Sequence, residues 1–258
     1  MYISKRCFLL FFIALYFFTV AFIIELFISN KNKKRRYLAT NFTYFSKLFL
    51  KICNIKLNKE DINIVKNKGV LIVANHMSYV DTLCIAAAIP VVFVSTMEVY
   101  NRFFVGLLFR HNGSVFIEKR NIKNINKELL EVTDLLKENF KVMLFPEADT
   151  TDGTKILPFK SPFFQAAIDA QADVLAMCLR YISIDGEAFN HKTKDIICYY
   201  GDMYFKKQIR KLLKTKKVEA SLKQVGSISY SKELIREDIA EYAYDKITSE
   251  YKKHVDIT

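Results

Sequence analysis

Glycine is scarce in this chain. Seven residues of 258 are glycine, at 69, 106, 113, 153, 186, 201 and 226, and no two lie closer than seven positions apart. Neither GxGxxG nor the P-loop spacing can therefore occur, which argues against a dinucleotide-binding turn and a P-loop phosphate cradle. The same scarcity removes GxSxG, the best local signal of an ordinary serine hydrolase. Histidine is also sparse: His76, His111, His191 and His254 are the four, none is in an HExxH arrangement, and zinc chemistry is poorly supported. The five cysteines are odd in number, widely spaced and free of any CxxC pair. They read as reduced thiols facing a cytoplasm-like compartment, not as a disulfide framework.

Apolar residues are plentiful, at 51%, with 14% aromatic, enough for one sizeable core and an appendage. The net charge of +12 favours anionic partners: phospholipid headgroups, phosphorylated cofactors or nucleic acid. Lys5 and Arg6 precede an apolar run from Phe8 to Ile28, broken only by Glu25 near its far end. As a helix it would be about 30 Å long, the thickness of a hydrocarbon core. No small-x-small cleavage site follows, so a retained membrane anchor is preferred over a signal peptide. The basic stretch Lys31 to Arg36 outweighs the N-terminal flank and would place the bulk of the chain on the cytoplasmic face if the helix spans. Glu25 shortens the clean apolar length and leaves a monotopic insertion open.

Between Tyr37 and Leu57, Phe42, Phe45, Leu48, Phe49 and Ile52 recur at helical spacing among Lys47 and Lys51. Such a stripe suits the membrane surface or packing inside the protein about equally. Further on, apolar runs predict strands at 69–74, 91–95, 114–117, 142–145, 174–181, 195–200 and 218–225. Helical patterns are expected at 81–89, 122–140, 162–170 and 232–253. The expected organisation is a membrane anchor over 1–30, a basic and amphipathic interfacial segment over 31–62, and one α/β catalytic domain over 63–258. That domain is expected to hold a mostly parallel sheet covered by helices.

The run Gly69 to Ala74 ends in Asn75-His76-Met77-Ser78-Tyr79-Val80-Asp81, and a helix-forming stretch begins there. A histidine and an aspartate thus share one strand-to-helix junction, with Asp81 suited to a helical first turn. An imidazole can take a proton from an alcohol near neutral pH, while a carboxylate on its other nitrogen fixes the tautomer. No serine or cysteine nucleophile is then required. Taken alone, a histidine at a strand end is more often a hydrogen-bonded structural residue.

Asn75-His76-x-Ser78-x-x-Asp81 resembles the first sequence block of the glycerolipid acyltransferases, which include lysophosphatidic acid acyltransferase. Gly113 to Arg120 looks like the second block, and Leu144-Phe145-Pro146-Glu147 with Thr150 to Gly153 looks like the third. Leu157 to Ser161 and Tyr199 to Met203 also resemble stretches of bacterial members. The resemblance runs from about Gly69 to Leu213. It implies that His76 is the general base toward an acceptor hydroxyl and Asp81 its orienting partner. It further implies that Lys119, Arg120 and, less strongly, Lys160 meet phosphate, and that Phe145, Pro146 and Glu147 shape the acceptor site. The implied reaction moves a fatty acyl group from acyl-CoA or acyl carrier protein to a lysolipid. The foremost acceptor is lysophosphatidic acid, the implied partners are membrane lipids, and neither a bound cofactor nor a metal is called for.

Four positions depart from the pattern. Ala148 and Asp149 stand where the family usually has Gly-Thr, Lys119 where it has arginine, and Ala176 where it has proline. Losing the glycine removes easy access to positive φ, and the added carboxylate repels a nearby phosphate. These departures leave open a zwitterionic or amino-acid-containing lysolipid as acceptor and a catalytically silent membrane-binding member; a lipid hydrolase in which water replaces the acceptor is a third alternative. A basic segment, Lys206, Lys207, Arg210, Lys211, Lys214, Lys216 and Lys217, carries no recognised nucleic-acid motif. It is expected to hold the domain on the bilayer or to draw in acyl carrier protein, with a solvated helical face nearly as plausible.

Overall fold

The computed structural model describes residues 2–65, 67–118 and 122–253. In chain order the elements are α1 (Tyr2–Phe27), α2 (Lys31–Ile52), β1 (Ile55–Glu60), β2 (Val70–Ala74), α3 (Tyr79–Ala88), β3 (Val92–Thr96), α4 (Met97–Tyr100) and α5 (Phe103–Arg110). They continue with β4 (Val115–Ile117), α6 (Ile122–Lys137), β5 (Lys141–Leu144), α7 (Gln165–Asp169), β6 (Asp173–Ile184), β7 (Glu187–Ala188), α8 (Lys194–Ile197), α9 (Phe205–Lys214), β8 (Val218–Ile228) and α10 (Arg236–Lys252).

The strands form one sheet in the order β1-β8-β6-β2-β5-β3-β4, with β7 paired to β6. Strands β6, β2, β5, β3 and β4 run parallel, and β8 joins them antiparallel to β6. All five residues of β2 are buried, as expected of a central parallel strand covered on both faces. The chain leaves β2 toward β3 on one side, while β6 lies on the other. The carboxyl end of β2 is therefore a point where the winding direction switches, the place where open α/β sheets bind ligands. The expected α/β architecture with a mostly parallel sheet is what the chain adopts.

Two local expectations change. Residues 195–200, expected as a strand, form α8 and an extended exit whose backbone is held elsewhere: the Tyr199 N–H donates to the Met77 carbonyl at 2.8 Å, and Gln208 Nε2 donates to the carbonyls of Ile196 and Ile197. A short apolar run signals burial but not which regular structure achieves it. Conversely, residues 55–60 pair with β8 as an edge strand, although the sequence set them in the segment before the domain. Its pattern of Lys56, Asn58, Lys59 and Glu60 is that of a charged edge, which hides the periodicity.

Helix α2 resolves the choice left by its apolar stripe. Phe42, Phe45 and Phe49 are buried, whereas Tyr44, Lys47, Leu48 and Lys51 face outward. Leu48 apart, the stripe belongs to the core. Helix α1 docks on α2 through Phe17 and Ala21, both fully buried, and Asn41 Nδ2 donates to the Phe17 carbonyl at 3.0 Å. Both polar ends of α1 are also tied to the domain. Arg6 donates to the carbonyls of Leu213 and Thr215, and His111 Nδ1 lies 2.8 Å from Glu25 Oε1. The other face exposes Phe8, Phe11, Phe12, Leu15, Phe22 and Phe27. By length and composition α1 is apolar enough to cross a membrane. Its two ends are nevertheless held by one folded unit.

Entry into β2 depends on a close backbone approach. A Cβ at Gly69 would sit 1.8 Å from the Leu136 carbonyl oxygen at the end of α6. Backbone on both sides leaves no flexible neighbour to yield, so Gly69→Ala is expected to destabilise the domain by about 3 kcal/mol or more. Chemical denaturation of the purified variant reads this directly.

Candidate active site

The site is built on the turn between β2 and α3. Strand β2 ends at Ala74, and the Asn75 side chain then continues the sheet, donating to the Leu179 carbonyl and accepting from the Leu179 N–H, each at 2.9 Å. His76 follows at the strand's open end. Ser78 caps α3 in a reciprocal capping box, its side chain accepting from the helix and Asp81 reaching back to the cap N–H.

Asp81 is fully buried and accepts from four donors. Oδ2 takes His76 Nδ1 at 2.9 Å, the Met77 N–H at 2.6 Å and the Ser78 N–H at 2.7 Å, and Oδ1 takes the Tyr181 hydroxyl at 2.6 Å. A carboxylate removed from water needs such partners, because an unpaired buried charge costs several kcal/mol. Burial, and next the Asp81 charge, push the Tyr181 hydroxyl well above its ordinary value of 10, so it stays a donor. A carboxylate oxygen already accepting two backbone N–H groups can only accept from the imidazole, which places the histidine proton on Nδ1. In the neutral ring Nε2 then keeps its lone pair.

His76 stacks on Phe145, with ring centroids 3.8 Å apart and planes 12° from parallel. The stack fixes the ring plane and covers one face. His76 lines a cavity of about 380 Å³ with Tyr79, Phe93, Val99, Phe109, Tyr199 and Phe205, an apolar set that suits an acyl chain. The charged lining residues described are Arg102, Glu98 and Asp149. Arg102 donates to the Tyr199 hydroxyl at 2.8 Å. An open groove shares Arg102, Val105, Tyr199 and Phe205 with the cavity and leads outward past Tyr204.

The third block holds this turn from the other side. Glu147 is buried, and its oxygens accept from the His76 N–H and the Leu157 N–H, each at 2.6 Å. Its carboxylate is turned inward and is not part of the cavity lining. Burial pushes it up to about 7 against those two donors, which pull it down. Pro146 is buried, and its carbonyl accepts from the Lys160 N–H at 2.9 Å. The Lys160 side chain is exposed and away from the cavity. Lys119 and Arg120 lie outside the described residues. Ala148 adopts φ of 60°, the left-handed region that glycine occupies at little cost. Ala148 thus holds a turn of the kind a glycine makes without strain.

The structure joins His76, Asp81, Phe145 and Glu147 in one hydrogen-bonded and stacked unit. Tyr181 escaped sequence reasoning, since it lies a hundred positions from Asp81 and no local pattern marks it. Arg102 was missed for the same reason, and Tyr199, the first residue of a stretch that resembles bacterial members, carried no assigned role in the sequence.

A histidine on a strand-to-helix turn, backed by a buried aspartate and opening on a largely apolar cavity, offers an oriented proton acceptor that needs no side-chain nucleophile. Residues 56–180, just under half of the chain, match the family model described as Acyltransferase. A 1-acyl-sn-glycerol-3-phosphate acyltransferase of Neisseria gonorrhoeae is 38% identical over 119 residues, 46% of this chain and 47% of that protein. A lyso-ornithine lipid O-acyltransferase of Rhizobium meliloti is 25% identical over 182 residues, 68% of this chain and 62% of that protein. The chain spans about half the length of the first of these relatives and less than two thirds of the second. The crystal structure of the 1-acyl-sn-glycerophosphate acyltransferase PlsC from Thermotoga maritima shares the fold, with a TM-score of 0.62 at 19% identity, covering 96% of this chain and 97% of that one.

Two outcomes test the third-block geometry. Ala148→Gly relieves a left-handed alanine and is expected to raise stability by about 1 kcal/mol, read as a higher denaturation midpoint. For Glu147 the folded carboxyl lies above its ordinary 4.5, so its contribution is fully present below about pH 4.5 and is lost as pH rises through about 7. Glu147→Gln is expected to flatten that part of the stability profile, measured by denaturation at a series of pH values.

Proposed function

We propose that the chain transfers a fatty acyl group from an acyl thioester, on coenzyme A or acyl carrier protein, to the free hydroxyl of a lysolipid. The observation that carries this is the His76–Asp81 pair within the segment that matches the Acyltransferase family model, with Nε2 left open on an apolar cavity. Nε2 takes the proton of the acceptor hydroxyl as that oxygen attacks the thioester carbonyl. A C–O bond forms, the C–S bond breaks, and the departing thiolate takes the proton back from the imidazolium. Asp81 stabilises the imidazolium between these steps, and Phe145 keeps the ring in plane. The intact pair favours this activity over a silent membrane-binding role.

Lysophosphatidic acid, giving phosphatidic acid, is the first acceptor proposed, in line with the named activity of the Neisseria gonorrhoeae relative. A specific observation supports a second. Glu98 and Asp149 both line the cavity, and carboxylates there suit an ammonium-bearing headgroup better than a phosphate. An amino-acid-containing lysolipid, the substrate type in the name of the Rhizobium meliloti relative, meets that requirement.

We further propose that α1 lies in the bilayer surface instead of crossing it, because Arg6 and Glu25 hold its ends to the same domain. Its exposed phenylalanines would enter the acyl region. The five unpaired cysteines and the thioester donor suit the cytoplasmic face.

His76→Ala is expected to lower acyl transfer by a factor of about 10² to 10⁴ while membrane binding persists. Purified enzyme incubated with labelled acyl donor and a panel of lysolipids, with products identified by mass, tests both the reaction and the acceptor. Release of free fatty acid without acylated lipid would replace transfer by hydrolysis.

A further inference from the structure

Helix α9 connects the cavity to the apolar helix α1. Its first residue, Phe205, lines the cavity, and at its other end the carbonyls of Leu213 and Thr215 accept from Arg6 of α1. Ten residues separate those points, a length of about 15 Å. Its inner face is fixed: Leu212 and Leu213 are buried, and the Gln208 side chain holds two carbonyls of the α8 exit and the Tyr79 hydroxyl. The outer face is Lys206, Lys207, Arg210, Lys211 and Lys214, all exposed. Among the described residues none of these five is paired with a carboxylate, whereas Lys217 just beyond is paired with Glu219. Tyr204, 72% exposed, precedes them at the groove.

We propose that this face is a docking surface for the anionic headgroups of a lipid bilayer, seating the cavity mouth on the membrane. Five cations clustered on one short helix repel one another and are relieved by a negatively charged plane. Each Lys or Arg near such a surface adds its own attraction to it. The surface adjoins the exposed phenylalanines at the N-terminal half of α1, so charged and apolar contacts meet the same bilayer. A protein partner such as acyl carrier protein would want an apolar centre among the charges, and lysine is depleted in such interfaces. The five outward positions of α9 offer none. The surface requires nothing of the acyl-transfer step itself.

The test is flotation of the full chain with vesicles of phosphatidylcholine alone or with one quarter phosphatidylglycerol, comparing wild type with K206Q/K207Q/R210Q/K211Q. A matched variant, K155Q/K192Q/K232Q/K252Q, removes the same charge from exposed positions elsewhere. Wild type and the matched variant are expected to bind anionic vesicles more tightly and to release with salt. The α9 variant is expected to lose more than about tenfold of that binding and to fall to the level seen on neutral vesicles. Should the fourfold variant melt early, K207Q/K211Q carries the same comparison with half the change. Unaltered binding of the α9 variants to anionic vesicles overturns the proposal. So does equal loss in the matched variant, which would make net charge the cause. Intact vesicle binding with loss only of turnover driven by acyl carrier protein would assign the surface to that protein and also overturn it. Because vesicle binding is read without turnover, failure here is separate from failure of the proposed reaction.

Discussion

The buried carboxylate of Asp81 is the contact on which the site depends. It belongs to two systems at once, since it completes the cap of α3 and holds the proton-bearing side of His76. Two backbone donors, an imidazole and a tyrosine hydroxyl satisfy it, and the helix start adds a favourable dipole. Removing any donor would leave a buried acceptor short of partners, which costs about 1–3 kcal/mol. The groups that orient His76 are therefore the groups that start the helix. A misplaced histidine would require a misfolded turn.

The third block braces the same turn from outside the pair. Glu147 ties the His76 backbone to Leu157, and the Thr151 N–H donates to the His76 carbonyl at 3.1 Å. Phe145 stacks on the ring. His76 is thus held at its ring, its N–H and its carbonyl, with Nε2 left for a proton. The role proposed for His76 requires such preorganisation, because small displacements of a reacting group cost large factors in rate. Ala148 and Asp149 alter what lies beside that nitrogen. They change the charge of the cavity wall and the strain of one turn, and they leave the pair untouched.

Much of the fold was legible. The run from Gly69 to Ala74 reads as a strand because parallel strands buried on both faces are continuously apolar, and the run at 174–181 departs from that pattern only at Arg180. Helix α6 declared itself through steps of three and four. The edge strand β1 was not legible, since charge on an exposed edge erases alternation, and the run at 195–200 was buried by a different structure than a strand. In the site, His76 and Asp81 were legible because they sit within one turn of chain. Tyr181 and Arg102 were not, since sheet pairing and the α4–α5 connection bring them in from afar. Glu147 was found by resemblance. Its role as a backbone clamp became visible only with its two hydrogen bonds. The apolar stripe of α2 suited bilayer and core alike, and packing against α1 and α3 decided it.

The central claim is that Asp81 makes His76 a base with its proton fixed on Nδ1. Asp81→Asn keeps the shape and removes the charge, so the decisive measurement is the acyl-transfer rate of that variant beside its lysolipid affinity. A fall in rate of about 10² or more with affinity retained is predicted. A rate near that of the unaltered enzyme would contradict the account.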